Sequence, residues 1–151
     1  PDQVFAALSA LLGGAPLEES GKSVCNDCPA IREGKGQLKQ LRRFLQTPHY
    51  VPEEPLSQMR CLLEQGFLCM GSVTRAGCGG GREIPRCIAA RVPCRGCSGP
   101  VRHEGNQLLD MLNGLASNGI DIRSLPEHTS LLRFSGAHGL LRPKKKKKME
   151  V

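Results

Sequence analysis

The sequence has no tryptophan, one tyrosine and four phenylalanines, so aromatic residues make up 3% of it. A core built on large rings is excluded, and the packing must come from aliphatic and sulfur-containing side chains. Long apolar runs are also missing. No stretch approaches the length of a bilayer-spanning helix, which argues against a transmembrane segment. The apolar segment from Val4 to Leu12 has no basic region before it and does not read as a signal peptide. There is no P-loop, no nucleotide-binding glycine fingerprint, no internal repeat and no convincing strand.

What the chain does have is glycine, proline and cysteine, at 18, 11 and 8 residues of 151. The length is that of one ordinary domain. A domain poor in rings and rich in loops usually depends on disulfides or metal for its stability.

The net charge of +7 suggests nucleic acid at first sight. Its distribution argues otherwise, because Lys144 to Lys148 supply five of those charges and residues 1–143 hold 16 basic against 13 acidic groups. Nor are there interleaved aromatics for base stacking, so nucleic acid is not an expected partner. The lysine run over 144–151 reads as a solvated, disordered tail, with docking to an acidic partner or a membrane surface as its other use.

Apolar spacing predicts a helix from Val4 to Leu12 with Asp2 as its cap, stopped by Gly13 and Gly14. Residues 15–36 read as loop. Leu38, Leu41, Phe44 and Leu45 suggest a second short helix, and Pro48, Pro52 and Pro55 an extended connection. Ser57 can cap a third helix over roughly 58–65, ended by Gly66. Glycines and prolines then crowd residues 69–100 without periodicity, which predicts backbone wrapped around something rather than helix or sheet. Leu108, Leu109, Met111, Leu112 and Leu115 mark a clear helix with a core-facing stripe, closed by Asn118 and Gly119. Ser124 to Glu127 fits a capping box opening a last short helix. His49, His103, His128 and His138 lie in unrelated contexts and read as ordinary surface or core residues.

The cysteines carry the chemistry. Their pattern is Cys25-x2-Cys28-x32-Cys61-x7-Cys69-x8-Cys78-x8-Cys87-x6-Cys94-x2-Cys97. Eight thiols divide into two sets of four, the count for two cubane iron–sulfur clusters or two structural zinc sites. Four disulfides would also use all eight, but they need an oxidising compartment. Zinc usually joins two close knuckles, whereas the two Cys-x2-Cys pairs here stand 65 residues apart. Spacing alone favours clusters while leaving zinc and disulfides open. Gly66, Gly71, Gly77, Gly79, Gly80, Gly81, Gly96 and Gly99 lie among these cysteines. Glycine lets backbone approach an inorganic core and turn its N–H groups toward sulfur, a lever on reduction potential.

Three segments resemble one known family. Cys61-Leu-Leu-Glu-Gln-Gly-Phe-Leu-Cys69-Met-Gly, Thr74-Arg-Ala-Gly-Cys78-Gly and Val92-Pro-Cys94-Arg-Gly-Cys97-Ser-Gly-Pro100 are similar to the cluster-binding C-terminal half of the NiFe-hydrogenase small subunit. The similarity is greatest to the cytoplasmic group with the viologen-reducing (F420-non-reducing) and NAD(P)- or F420-linked enzymes. It runs from Pro1 to about Ser117. The resemblance implies that Cys25, Cys28, Cys61 and Cys69 hold a distal 4Fe–4S cluster. By the same implication Cys78, Cys94 and Cys97 are medial ligands. Cys87 stands where many relatives with a 3Fe–4S cluster carry proline, and a thiolate there implies a complete medial 4Fe–4S cluster. The implied function is a relay of electrons between a nickel–iron centre in a partner large subunit and an external acceptor, a flavin or iron–sulfur protein, in the cytoplasm.

The family's flavodoxin-like N-terminal domain, which carries the proximal cluster, does not appear in this sequence. A further chain or segment is expected to supply it. The expected fold is small, mostly α and irregular, a loop-rich domain organised around two clusters. The expected division is a two-cluster domain over 1–117, an extension with a short helix over 118–143 and the lysine-rich tail over 144–151. No catalytic acid, base or nucleophile stands out. Glu64, between two candidate ligands, reads as an exposed helix charge or a structural contact.

Overall fold

The computed structural model describes residues 2–15, 20–41, 52–80, 83–102, 105–121 and 123. Three α-helices occur among them: α1 (Asp2–Leu12), α2 (Arg86–Ala89) and α3 (Gln107–Ala116). Two 3-10 turns, Val24–Asn26 and Met70–Val73, stand between α1 and α2. Extended backbone pairs only through isolated bridges, at Ser23 with Arg75, Ile31 with Arg60 and Thr74 with Pro100. The molecule is a small assembly of helix and loop, with no sheet among the described residues.

α1 ends where the glycines predict, but Asp2, expected as its cap, is already a helical residue. Gly13 N–H donates to the Ser9 carbonyl at 2.9 Å, and Gly14 takes φ 66°, the left-handed geometry that glycine adopts without strain. Its apolar side chains Val4, Phe5, Leu8, Leu11 and Leu12 are exposed. α3 is capped by Asn106, whose side-chain oxygen accepts from Leu108 N–H at 3.0 Å and Leu109 N–H at 3.2 Å. Gln107, Met111 and Leu115 recur at intervals of four and form its buried face. That face packs on the Met70–Val73 turn.

Two small cores result. One gathers Val24, Leu38, Met70, Met111 and Leu115 together with Cys69 and Cys94. The other gathers Ala30, Met59, Leu62, Phe67 and Ile88, with Cys28 packed at its edge. Phe67 is the one ring in either buried group. Methionine and cysteine fill the space that aromatics take elsewhere, because an unbranched polarisable side chain adapts to irregular gaps.

Two helix expectations fail. Residues 38–41 are non-helical, and the remainder of that segment, Phe44 and Leu45 included, lies outside the described residues. Residues 58–65 form a series of turns rather than a helix. The cause is a non-local pairing: Ile31 N–H donates to the Met59 carbonyl at 2.9 Å, and Cys61 N–H donates to the Ile31 carbonyl at 2.7 Å. Those groups are taken by another part of the chain. Gly66 still ends the turn at φ 91°.

The aperiodic stretch does contain a helix, the four-residue α2, entered through Pro85. It closes on Arg91, a non-glycine residue at φ 55°. Arg91 N–H donates to the Ile88 carbonyl at 2.8 Å, and Val92 N–H to the Cys87 carbonyl at 2.9 Å. This is the Schellman closure with arginine where glycine is usual. The arginine side chain is used: its Nη2 donates to the carbonyls of Pro52 and Glu54. The helix expected after Ser124, the four histidines and the lysine tail all lie outside the described residues.

Candidate functional site

Each candidate cysteine is carried by a loop that a named backbone contact fixes. Cys25 sits in the Val24–Asn26 turn, anchored by Val24 N–H donating to the Thr74 carbonyl at 2.8 Å. Cys61 follows the Ile31–Arg60 bridge. Cys69 leads into the Met70–Val73 turn, whose Met70 N–H donates to the Cys94 carbonyl at 3.0 Å. Cys87 lies in α2. Cys97 lies between Gly96 and Gly99, where Gly99 N–H donates to the Gly96 carbonyl at 3.3 Å.

Charge coupling shows which thiols are neighbours. Cys25 feels Cys61 and Cys28, and Cys28 feels Cys61. Cys69 feels Cys94 first and Cys25 second, and Cys25 feels Cys94 as well. Cys78 feels Cys97 and Cys87, while Cys94 feels Cys87 and Cys78. The thiols therefore form one run of neighbours, with Cys28 and Cys61 beside Cys25, Cys87 and Cys97 beside Cys78, and Cys69 and Cys94 meeting between them. Cys94 N–H also donates to Cys69 Sγ at 3.3 Å. All eight cysteines are free thiols. Among the described residues, no three Cys, His, Asp or Glu side chains form a group able to hold a single metal ion.

Burial dominates the acid–base behaviour of these thiols. It pushes Cys25 up to about 11, helped by the neighbouring Cys61 and Cys28 and partly opposed by Arg32. Burial raises Cys69 further, against the N–H groups of Gly71 and Cys94 that favour its thiolate. Cys28, Cys78 and Cys94 are raised for the same first reason. The opposing contacts follow a pattern. Ala30 N–H serves Cys28, Gly71 N–H serves Cys69 and Gly96 N–H serves Cys94, each from two residues downstream. Arg86 N–H, at the start of α2, does the same for Cys78.

Gly71 has a second function in this cradle. A Cβ built there would lie 3.1 Å from Cys25 Sγ and 3.6 Å from Cys69 Sγ. Glycine keeps the space between these sulfurs open. Soft sulfur ligands lined by backbone N–H donors suit an iron–sulfur core.

Glu64 is a structural contact, one of the two roles expected of it, and not an exposed helix charge, since it lies in a turn and is largely covered. Its carboxylate accepts from Glu33 N–H at 2.9 Å and from Gly34 N–H at 2.8 Å. Arg60 Nε stands 3.9 Å from it. The carboxylate therefore fastens the 33–34 loop to the turn between Cys61 and Cys69.

Sequence reasoning missed Gln107 and Thr74. Gln107 Nε2 lies 3.0 Å from Thr74 Oγ1, 3.1 Å from the Gly96 carbonyl and 3.0 Å from the Gly99 carbonyl. The signal was available, since Gln107 is the one polar residue in the 107–111–115 stripe of α3.

Comparison with known proteins agrees with this chemistry. No family model matches the chain. The vhu G subunit of the F420-non-reducing hydrogenase of Methanocaldococcus jannaschii is 34% identical over 147 residues, covering 97% of this chain and 46% of the relative. Its counterpart in Methanococcus voltae is 35% identical over 136 residues, covering 89% and 43%. This chain is a homologue of the G subunits of F420-non-reducing hydrogenases. A third such hydrogenase protein, from Archaeoglobus profundus, is named as an iron–sulfur subunit and is 34% identical over 106 residues, covering 66% of this chain and 30% of the relative. This hydrogenase-subunit homologue spans less than half the length of these relatives. No helix among its described residues is long and apolar enough to cross a membrane.

Proposed function

We propose that this chain is the electron-relay portion of a NiFe-hydrogenase small subunit, with Cys25, Cys28, Cys61 and Cys69 holding a distal 4Fe–4S cluster. Cys78, Cys87, Cys94 and Cys97 hold a medial one. The observation that supports the reading is that the thiols lie near one another, with Cys28 and Cys61 beside Cys25, Cys87 and Cys97 beside Cys78, and Cys69 in contact with Cys94 between them. When bound, the clusters supply reversible one-electron oxidation and reduction. The protein's own contribution is to bind, orient and tune. Buried Cys69 and Cys94 exclude water, and the N–H groups of Ala30, Gly71, Arg86 and Gly96 are set toward sulfur. No residue here is assigned a part in making or breaking dihydrogen, which belongs to a large subunit with the nickel–iron centre. Electrons pass between that subunit, a segment carrying the proximal cluster, and a flavin or iron–sulfur acceptor in the cytoplasm.

The test is metal analysis of anaerobically purified or reconstituted protein. About eight irons and eight sulfides per chain are expected, with a brown colour that bleaches on reduction. A colourless chain carrying stoichiometric zinc would end this reading and favour a cysteine-rich zinc module.

A further inference from the structure

We infer that Gln107 is a positioning residue for the medial set, holding the Gly96–Gly99 loop and the Thr74 hydroxyl so that hydrogen bonding at Cys94 sets the redox potential there. The inference rests on the cluster reading above.

The argument starts from an unfavourable placement. Gln107 is 3% exposed, on the face that α3 otherwise buries with Met111 and Leu115. Its Oε1 is buried and finds no donor. A buried unsatisfied acceptor costs about 1–3 kcal/mol, which the rest of the side chain has to offset. What the amide achieves lies on its other end. The NH2 group has two hydrogens and is shared among three acceptors, Thr74 Oγ1 and the carbonyls of Gly96 and Gly99.

Those carbonyls bracket Cys97. Both glycines hold left-handed backbone, at φ 85° for Gly96 and 81° for Gly99. A Cβ at Gly96 would meet Gln107 Nε2 at 3.4 Å. Gly96 also presents its N–H to the Cys94 sulfur. One amide thereby fixes a loop that carries one candidate ligand and donates to another.

Thr74 completes the arrangement. It is 1% exposed, and its hydroxyl donates to the Met70 carbonyl at 2.5 Å while accepting from Gln107. The same hydroxyl lies against the Cys94 sulfur. Its single hydrogen has two acceptors within reach, and Gln107 holds the oxygen between them. Hydrogen bonding to a ligating sulfur stabilises the more negative, reduced state and raises the potential.

The experiment uses the full chain loaded anaerobically with iron and sulfide, with iron counted and each cluster titrated by electron paramagnetic resonance. In Thr74→Val, which keeps shape and removes the hydroxyl, the reduced-to-oxidised ratio of one cluster at fixed potential should fall about tenfold. That is about 59 mV toward more negative values for a one-electron couple. Gln107→Met should move the same cluster in the same direction, and Thr74→Ser should keep the parent potential. A purely structural role would lower iron occupancy or melting temperature and leave the surviving clusters at the parent potential, which overturns the inference. Equal shifts in Thr74→Ser and Thr74→Val also overturn it. If Gln107→Met fails to fold, the Thr74 pair decides alone. A parent chain that takes up no iron overturns the cluster reading and this inference with it; a loaded parent with unmoved variants overturns this inference only.

Discussion

The backbone N–H of Cys94 donates to the sulfur of Cys69 at 3.3 Å, and so joins two cysteines assigned to different clusters. Both residues are buried in the same core, beside Met70 and against α3. In the proposed division Cys69 is a ligand of one set that also contacts the other. Cys28 lies away from that junction, with Cys61, Ala30 and Arg32 as its neighbours. Cys28→Ala is therefore expected to lose iron from one cluster, about four irons of eight. Cys69→Ala is expected to lose that cluster and also to perturb the line shape of the other. Iron analysis with electron paramagnetic resonance reads both effects, and identical behaviour of the two variants would refute the asymmetry.

Cluster loading should depend on pH with a definite sign. Burial holds the Cys25 thiol up to about 11, above its ordinary 9, and Cys28, Cys69, Cys78 and Cys94 are raised as well. Near neutrality the metal-free chain keeps these thiols protonated, whereas iron binds the thiolate. Incorporation must release protons, so loading is expected to strengthen as pH rises from 7 toward 9 and to weaken below 7. Proton release on anaerobic reconstitution in weakly buffered solution, at two pH values, checks this directly. Uptake independent of pH would show that the ligating thiols were already ionised.

Glu64→Gln tests the structural contact. The carboxylate uses both oxygens, on Glu33 N–H and Gly34 N–H, and a carboxamide can offer only one. Its NH2 would then face a backbone donor. With the side chain only 10% exposed, a loss of about 1–3 kcal/mol is expected. Denaturant unfolding of the loaded chain measures it, and the cluster potentials should stay at the parent values. A shifted potential with unchanged stability would make Glu64 a tuning residue instead.

How legible this was in the sequence depended on the range of the interactions. α3 and α1 were readable because periodicity and stop glycines are local signals, whereas the cap was misplaced at Asp2 and overlooked at Asn106. The 58–65 segment was not, because Ile31 takes the hydrogen-bonding groups of Met59 and Cys61 from about 30 residues away. α2 is a single turn, too short to show a period. The cysteine spacing announced a metal-type site and could not say which thiols meet, since Cys61 and Cys28 are joined only by the fold. Gln107 was visible as a polar residue on an apolar stripe, but its role and that of Thr74 could not be read for the same reason, because their partners come from distant segments.

Gly71→Ala examines the cradle with one methyl group. The added carbon would sit 3.1 Å from Cys25 Sγ, closer than nearly all real contacts, and 3.6 Å from Cys69 Sγ. The backbone there is not left-handed, so any effect comes from crowding rather than from strain in φ. Iron in the first set should fall, while the cluster of Cys78, Cys87, Cys94 and Cys97 persists. Full occupancy of both sets in Gly71→Ala would mean that the sulfurs shift without consequence.

Cys87 offers the most direct test of how the eight thiols divide. It lies in the first turn of α2, with Cys78 and Cys94 as neighbours. Proline is tolerated in a helix's first turn, where the N–H has no intrahelical partner, so Cys87→Pro removes a thiolate at limited cost to the backbone. Three remaining thiolates, Cys78, Cys94 and Cys97, would leave one corner of a cubane without a protein ligand. The expected product is a 3Fe–4S cluster with a higher potential, visible as a new electron paramagnetic resonance signal in the oxidised protein, and about seven irons per chain in place of about eight. Cys87→Ser serves as a control for helix integrity, since it removes the thiolate without restricting φ. If neither variant produces the new signal and iron stays at the parent count, Cys87 is a half-buried free thiol and not a ligand. The fourth medial ligand would then have to be sought elsewhere in the chain.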